Sequence, residues 1–256
     1  TYLAAAKDVY QEGALIFPCV QVQREFENIE DIIRMCRRRI RVPEQWYGDY
    51  LAAIGAARIG ERRLRGFIAK YGVSAVRGFV SDWLDYSERR AADAIQALPG
   101  GKIITEGVHD PIEPFLPDGV RVKIEIDIDN RNGLITVDLR DNPDSVDAGL
   151  NLTESTATMS AAQAVFCCLD PDIPHNSGSL RRIEVLLREN CIVGIPRFPH
   201  SCSVATTNMT DTIINAILAG VSQLGDGYGF SQGNMCNGAG TGVCSGKDWR
   251  LDGAPY

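Results

Sequence analysis

From Arg121 to Asp129 the chain alternates without a break. Val122, Ile124, Ile126 and Ile128 fall on one side; Arg121, Lys123, Glu125, Asp127 and Asp129 fall on the other. A period of two belongs to extended backbone with one dry and one wet face. Asn130-Arg131-Asn132-Gly133 follows, and Asn-Gly is a strong short-range hairpin signal. Leu134–Leu139 then returns as the partner strand. The chain is therefore expected to contain a half-solvated antiparallel hairpin.

The first hundred residues read differently. Residues 1–26 are a mixed lead-in, with Glu12-Gly13 and Pro18 interrupting regular structure. Asn28 is placed to cap a helix from Ile29 to about Ile40, whose Ile29, Ile32, Ile33, Cys36 and Ile40 share a face. Pro43 suits a first helical turn. From Glu44 to Lys70, Trp46, Tyr50, Ile54, Ala57, Leu64, Phe67 and Ile68 recur at threes and fours, and Gly72 supplies a stop. Ser74 to Leu98 repeats the pattern through Val76, Phe79, Val80, Trp83, Leu84, Ala91 and Ile95, ending at Pro99-Gly100-Gly101. Three helices joined by short links should pack as antiparallel neighbours.

Beyond the hairpin and a strand at Lys102–Thr105, Ser155–Leu169 reads as a buried helix, ended by Asp170-Pro171-Asp172-Ile173-Pro174. Ile183–Leu187 reads as a strand, and Thr210–Leu224 as a helix apolar nearly all round, hence central. Residues 225–248 are Gly-rich and predict a loop or short strands. The fold class expected is α+β: a helical hairpin or bundle over 1–99, then a mixed α+β part over 100–256 carrying the antiparallel hairpin. The chain opens Thr1-Tyr2-Leu3 and closes on Gly253-Ala254-Pro255-Tyr256, so both ends read as cuts through a larger protein.

Composition narrows the function. A net charge of −7 argues against non-specific nucleic-acid binding. The densest basic run, Arg37-Arg38-Arg39 with Arg41, reads as a helix C-terminus complementing the dipole. No apolar stretch reaches the roughly 18–20 residues needed to span a bilayer. The 8 cysteines are scattered with no C-x-x-C pair, which fits reduced thiols and a cytoplasmic location.

Several chemistries fail on spacing. Gly240 to Lys247 superficially resembles a P-loop, but the run to Gly246-Lys247 is one residue off and Asp248 stands where Ser or Thr must hold magnesium. Gly238-x-Gly240-x-Gly242 opens no helix, so it is no dinucleotide fingerprint. The 3 histidines, His109, His175 and His200, supply no convergent metal-ligand set; His200-x-Cys202 is the one close His/Cys pair. Neutral amides and hydroxyls beside glycines are more informative. They occur at Asn151, at His175-Asn176-Ser177-Gly178, at Thr206-Thr207-Asn208, and at Ser231-Gln232-Gly233-Asn234 with Asn237-Gly238. A small polar substrate needs such a wall. From spacing alone, capping and turn chemistry explains each of them more simply.

These segments, taken in order, carry a resemblance. Glu12-Gly13-Ala14-Leu15-Ile16-Phe17-Pro18, Arg39-Ile40-Arg41-Val42-Pro43, Gly60-Glu61-Arg62-Arg63 and Asp85-Tyr86-Ser87-Glu88-Arg89-Arg90 resemble successive landmarks of the hydantoinase B/oxoprolinase family. So do Thr136-Val137-Asp138-Leu139, Asn151, Leu169-Asp170-Pro171-Asp172-Ile173-Pro174-x-Asn176-x-Gly178, Ile183-Glu184-Val185 and Ser231-Gln232-Gly233. Acetone and acetophenone carboxylase components look similar.

The resemblance implies a hydantoinase B-type component working with a hydantoinase A-type partner that uses ATP, in a hetero-oligomer acting on a small molecule, with no nucleic acid or membrane partner. The substrate implied is a phosphate-activated cyclic amide of the hydantoin or 5-oxoproline class; the alternative is a ketone under carboxylation. The family's divalent-metal ligands, an Asp- and His-rich set with an N-D-P-x-x-G-G-x-H style run, belong upstream of Thr1, so no metal ligand is expected within this chain. The pocket residues implied are Asn151, Asn176, Thr207, Asn208, Gln232 and Asn237, as hydrogen-bonding wall rather than acid or base. Thr207-Asn208 stands where the family commonly has Gly-Asn. A non-catalytic assembly protein and a free-standing binding module are the competing classes.

Overall fold

A computed structural model describes residues 4–13, 17–112, 116–205, 208–225 and 227–229, with the backbone of 247–248 and 254–255. Its core is a four-stranded sheet in the order β3-β4-β5-β6. The strands are β3 (Gly101–His109), β4 (Val120–Asp129), β5 (Leu134–Asp138) and β6 (Ile183–Leu186). The first three are antiparallel neighbours; β6 joins β5 in parallel. Two short ribbons stand apart: β1 (Gln23–Arg24) with β2 (Glu27–Asn28), and β7 (Lys247–Asp248) with β8 (Ala254–Pro255).

The alternation in β4 fixes which face is dry. Val122, Ile124, Ile126 and Ile128 are all buried. Across β5 they are joined by Ile135 and Val137. Each such side chain contributes about 1.5–3 kcal/mol by leaving water. At the turn, the Asn132 amide N–H groups donate to Asp129, from the backbone to Oδ1 at 3.1 Å and from the side chain to Oδ2 at 2.6 Å. Those bonds, the side-chain one first, hold the Asp129 carboxyl below its ordinary range. β3 runs four residues further than its apolar pattern predicts, because β4 offers it an unbroken ladder from Ile128 to Val120.

Two helices cover the dry face. Helix α4 (Glu154–Cys167) begins where Thr153 accepts from the Thr156 N–H, and is rich in buried alanine. Helix α5 (Met209–Val221) buries Met209, Ile213, Ile214, Ala216, Ile217, Leu218 and Val221. It lies close against β3 because Gly107 has no side chain. A Cβ there would meet Thr212 Cγ2 at 2.7 Å and its carbonyl oxygen at 2.8 Å. Thr105 Oγ1 donates to the Ala216 carbonyl at 3.0 Å across the same seam.

The N-terminal helices are α1 (Glu30–Arg39), α2 (Pro43–Tyr71) and α3 (Val73–Gln96). The basic run does close α1, opposite Glu30 and Asp31 in its first turn. Asn28, however, does not cap it. Ile29 holds the capping position with no side-chain bond. Asn28 instead lies in β2, where its Oδ1 accepts from the Tyr50 hydroxyl at 2.7 Å and from Gln23 at 2.8 Å. A ribbon pairing that sequence alone does not reveal outcompetes the cap.

The helical periodicity of 44–98 is present, but it does not close a core. Helix α2 buries no residue, and α3 buries Ser87, Ala91 and Ile95, all toward its C-terminal end. Only Gly72 separates the two helices. Leu64, Phe67, Tyr71, Phe79 and Trp83 stay exposed.

Candidate functional site

The N-terminus of α5 gathers the polar groups. Asn208 holds its N-cap position, yet its side chain makes no capping bond. Its amide lies 3.3 Å from His109 Nε2, where β3 ends. The other imidazole nitrogen, Nδ1, meets the Asp110 carbonyl at 2.8 Å. A carbonyl can only accept, so we assign the proton to Nδ1, leaving Nε2 to accept from the Asn208 amide. The ring is thereby oriented by two partners. His109 had no convergent partner in the sequence; its neighbour lies 99 residues away. Thr207, Gln232 and Asn237 lie outside the described residues.

Asn151 is fully buried. Its Oδ1 accepts from the Val146 N–H at 2.8 Å. Its Nδ2 donates to the carbonyls of Val146, Ala148 and Ser201, each at 2.9 Å. Ser201 in turn donates its hydroxyl to Glu12. The run from Ser201 continues through Val204, whose N–H donates to Gly149 at 2.9 Å and whose carbonyl accepts from Asn208 at 3.2 Å. Asn151 thus braces the loop before α4 against the segment that delivers Asn208.

Asn176 sits elsewhere, against α3. Its Nδ2 donates to Ser87 Oγ at 2.8 Å, and its Oδ1 accepts from the Gly178 N–H at 2.8 Å. Around that contact Arg181 pairs with Asp85 and Glu88, Arg182 with Glu88, and Arg90 with Asp170. The Arg181 hydrogen bond, first among several causes, lowers the Glu88 pKa. Two sequence landmarks some ninety residues apart are therefore halves of one junction fastening the end of α3 to the body.

Between α4 and α5 lies a shallow groove of about 410 Å3. Ser155, Thr156, Met159, Ser160, Gln163, Thr210 and Ile214 line it. Ser160 Oγ reaches Thr210 Oγ1 at 3.2 Å and ties the two helices. Its lining is mainly apolar, with Met159 and Ile214 among the lining residues and the hydroxyls and the Gln163 amide as its polar points. These residues carry no sequence signal, because they sit inside helices, where hydroxyls usually bond their own backbone. Asn208 comes two residues before Thr210 but faces His109 rather than the groove.

The family model of hydantoinase B/oxoprolinase matches residues 1–251. The chain belongs to that family. Similar proteins include the B-type component of a putative D-/L-hydantoinase from a Pseudomonas species, 28% identical over 86% of this chain and 38% of the relative. In fold, the chain resembles the ATP-dependent caprolactamase of Pseudomonas jessenii, with a TM-score of 0.77 at 22% identity over 88% of this chain and 38% of that one. It also resembles a nucleotide-free acetone carboxylase structure, with a TM-score of 0.74 at 15% identity over 87% of this chain and 32% of that one. The chain spans only 36% to 38% of the length of the first relatives it matches.

Among the described residues, no group of three or more His, Cys, Asp or Glu side chains is placed to hold a metal ion. The described donors therefore do not fit the divalent metal that the family resemblance implies. No helix among them is long and apolar enough to cross a membrane.

The six described cysteines are unpaired. Burial pushes the Cys168 thiol up to about 12, with Cys167 adding to it. Burial also pushes Cys202 up to about 11, with the Glu12 charge second. A folded pKa above the unfolded value of roughly 8.5 gives stability that is complete below about pH 8.5 and is lost as pH rises toward the folded pKa. Iodoacetamide at about pH 8 should therefore label exposed Cys19 while sparing Cys168 and Cys202, until urea unfolds the protein; mass spectrometry of tryptic peptides reads the order. Equal labelling of all three in the native protein would contradict this burial.

Proposed function

We propose that this chain forms part of the hydantoinase B-type component of an ATP-dependent hydantoinase/oxoprolinase-type enzyme, which hydrolyses a phosphate-activated cyclic amide. The family match across residues 1–251 carries the reading. In it, an A-type partner consumes ATP, and a divalent metal is held by residues elsewhere in the complex. The unpaired thiols agree with a reducing, cytoplasmic setting.

The physical logic is the resilience of the amide. Its resonance shows in a rotation barrier of roughly 18–20 kcal/mol. Phosphoryl transfer from ATP to the carbonyl oxygen, releasing ADP, ends that resonance. Water then adds to the carbon, the C–N bond breaks with the nitrogen leaving protonated, and the resulting acyl phosphate is hydrolysed to a carboxylate and inorganic phosphate. Such a substrate needs a wall of neutral hydrogen-bonding groups more than it needs a strong base. Asn208, with Thr207, Gln232 and Asn237, is assigned to that wall. His109 orients Asn208. Asn151 and Asn176 act indirectly, through the loop and the junction they hold.

The likeness to acetone carboxylase supports a second reading, carboxylation of a phosphorylated enol. The purified full complex discriminates the two. ATP-dependent opening of hydantoin or 5-oxoproline supports the first; ATP-dependent consumption of ketone plus bicarbonate supports the second. Substrate turnover with no nucleotide would sink both. Asn208→Leu in that complex should lower kcat by about tenfold, the rate equivalent of losing one hydrogen bond worth roughly 1.5 kcal/mol. Its unfolding midpoint should move by only a few degrees. Equal loss of activity and stability would make Asn208 a structural residue.

A further inference from the structure

The exposed end of α2 and start of α3 combine two features that a lone solvated helix pair does not need. The first is apolar. Leu64 is 54% exposed, Phe67 46%, Phe79 59% and Trp83 45%. The aromatics are already ordered against one another: Phe67 with Tyr71 at 4.8 Å between ring centres, Phe79 with Trp83 at 6.3 Å, and Trp83 with Tyr86 at 5.5 Å. Exposed aromatic rings held in place cost little entropy to dock.

The second feature is charge. From Arg58 to Arg77 the cations Arg58, Arg62, Arg63, Arg65, Lys70 and Arg77 face a single acid, Glu61, in a chain whose net charge is −7. Arg65 pairs with Glu61, and Arg58 bonds Gln23 and the Phe26 carbonyl. Among the described residues Arg62, Arg63, Lys70 and Arg77 have no ion-pair partner. Arg62, Arg63, Gly66, Phe67 and Lys70 border one open concavity of about 650 Å3.

We propose that this arm is the docking element for a different protein of the same complex, one that presents an apolar groove rimmed by carboxylates. The aromatics fill the groove, and the four cations without an ion-pair partner meet its rim. Two copies of the arm laid against each other would bring like charge to like charge, so self-pairing does not fit. Nucleic acid fits less well, since the chain as a whole carries a net charge of −7 and would repel a polyanion. The proposal rests on the functional reading that this chain is one component of an ATP-dependent complex, and it assigns the surface that joins the ATP-consuming partner.

The test is assembly, read apart from catalysis. The full-length protein and its separately purified ATP-binding partner are mixed and followed by light scattering and titration calorimetry. Phe67→Glu/Trp83→Glu should weaken association by roughly tenfold or more, as loss of aromatic anchors does. Arg62→Glu/Arg63→Glu/Arg77→Glu should slow association and flatten its salt dependence. All five side chains are exposed or border solvent, so circular dichroism and the thermal midpoint should stay at wild-type values. Undiminished assembly of both variants would overturn the proposal while leaving the enzyme reading intact. So would loss of a homo-oligomer in place of the hetero-complex, or arm-dependent binding to vesicles of equal parts phosphatidylcholine and phosphatidylserine. A wild-type protein that neither joins the partner nor shows ATP-dependent turnover with it would remove the enzyme reading and the proposal together.

Discussion

Replacing Gly178 with alanine is expected to lower the unfolding free energy by about 3 kcal/mol, the upper end of ordinary overpacking. The reason is local and rigid. A Cβ at this position would sit 2.0 Å from the Leu84 carbonyl oxygen and 2.8 Å from Leu84 Cα. Those atoms are helix backbone and cannot rotate away as a side-chain end would. Either α3 lifts off the body, or the turn carrying Asn176 and Arg181 moves. Both routes stretch the Asn176–Ser87 bond and the Arg181 ion pairs with Asp85 and Glu88. At about 2–4 °C per kcal/mol for a chain of this size, the thermal midpoint should fall by roughly 6–12 °C. A Gly178→Ala protein melting at the wild-type temperature would refute the close approach.

Asn151→Ala is expected to cost about as much or more, by a different mechanism. The amide is fully buried and serves one backbone N–H and three backbone carbonyls. Alanine leaves those groups in the interior without partners, and each orphaned group costs about 1–3 kcal/mol. Water entering the vacated space offsets part of this, so roughly 3–5 kcal/mol is expected, read from urea midpoints at unchanged m-value. Asn151→Asp should also destabilise, because a carboxylate cannot donate to the three carbonyls. If Asn151→Ala instead melted as wild type and lost only turnover of the complex, the residue would belong to the wall and not to the brace.

The asparagines show where sequence reasoning reached its limit. All of them stand in polar segments between regular elements, and one rule ranks them alike. Tertiary contact separates them. Asn151 turns inward to backbone atoms, Asn176 reaches back to Ser87 on α3, and Asn208 declines the cap and meets His109. No local pattern encodes these partners, since Ser201, Ser87 and His109 lie 50, 89 and 99 residues away. Asn28 failed as a cap for the same reason, a pairing with Gln23 and Tyr50 that spacing does not show.

Periodicity was legible because each strand or helix writes its own burial into nearest neighbours. The alternation of 121–129 specifies an extended, one-sided strand whatever lies above it, and β4 is buried on that side. The recurrence at threes and fours over 44–98 specifies two helices in the same way. What periodicity does not carry is the identity of the partner surface. By itself the sequence determined the elements, their order and the family. The tertiary structure alone decided that, among the described residues, α2 buries no side chain, that α3 is fastened toward its C-terminal end, and that Asn208 sits beside His109. Those outcomes depend on contacts between distant segments, whose energies enter only when the chain has closed on itself.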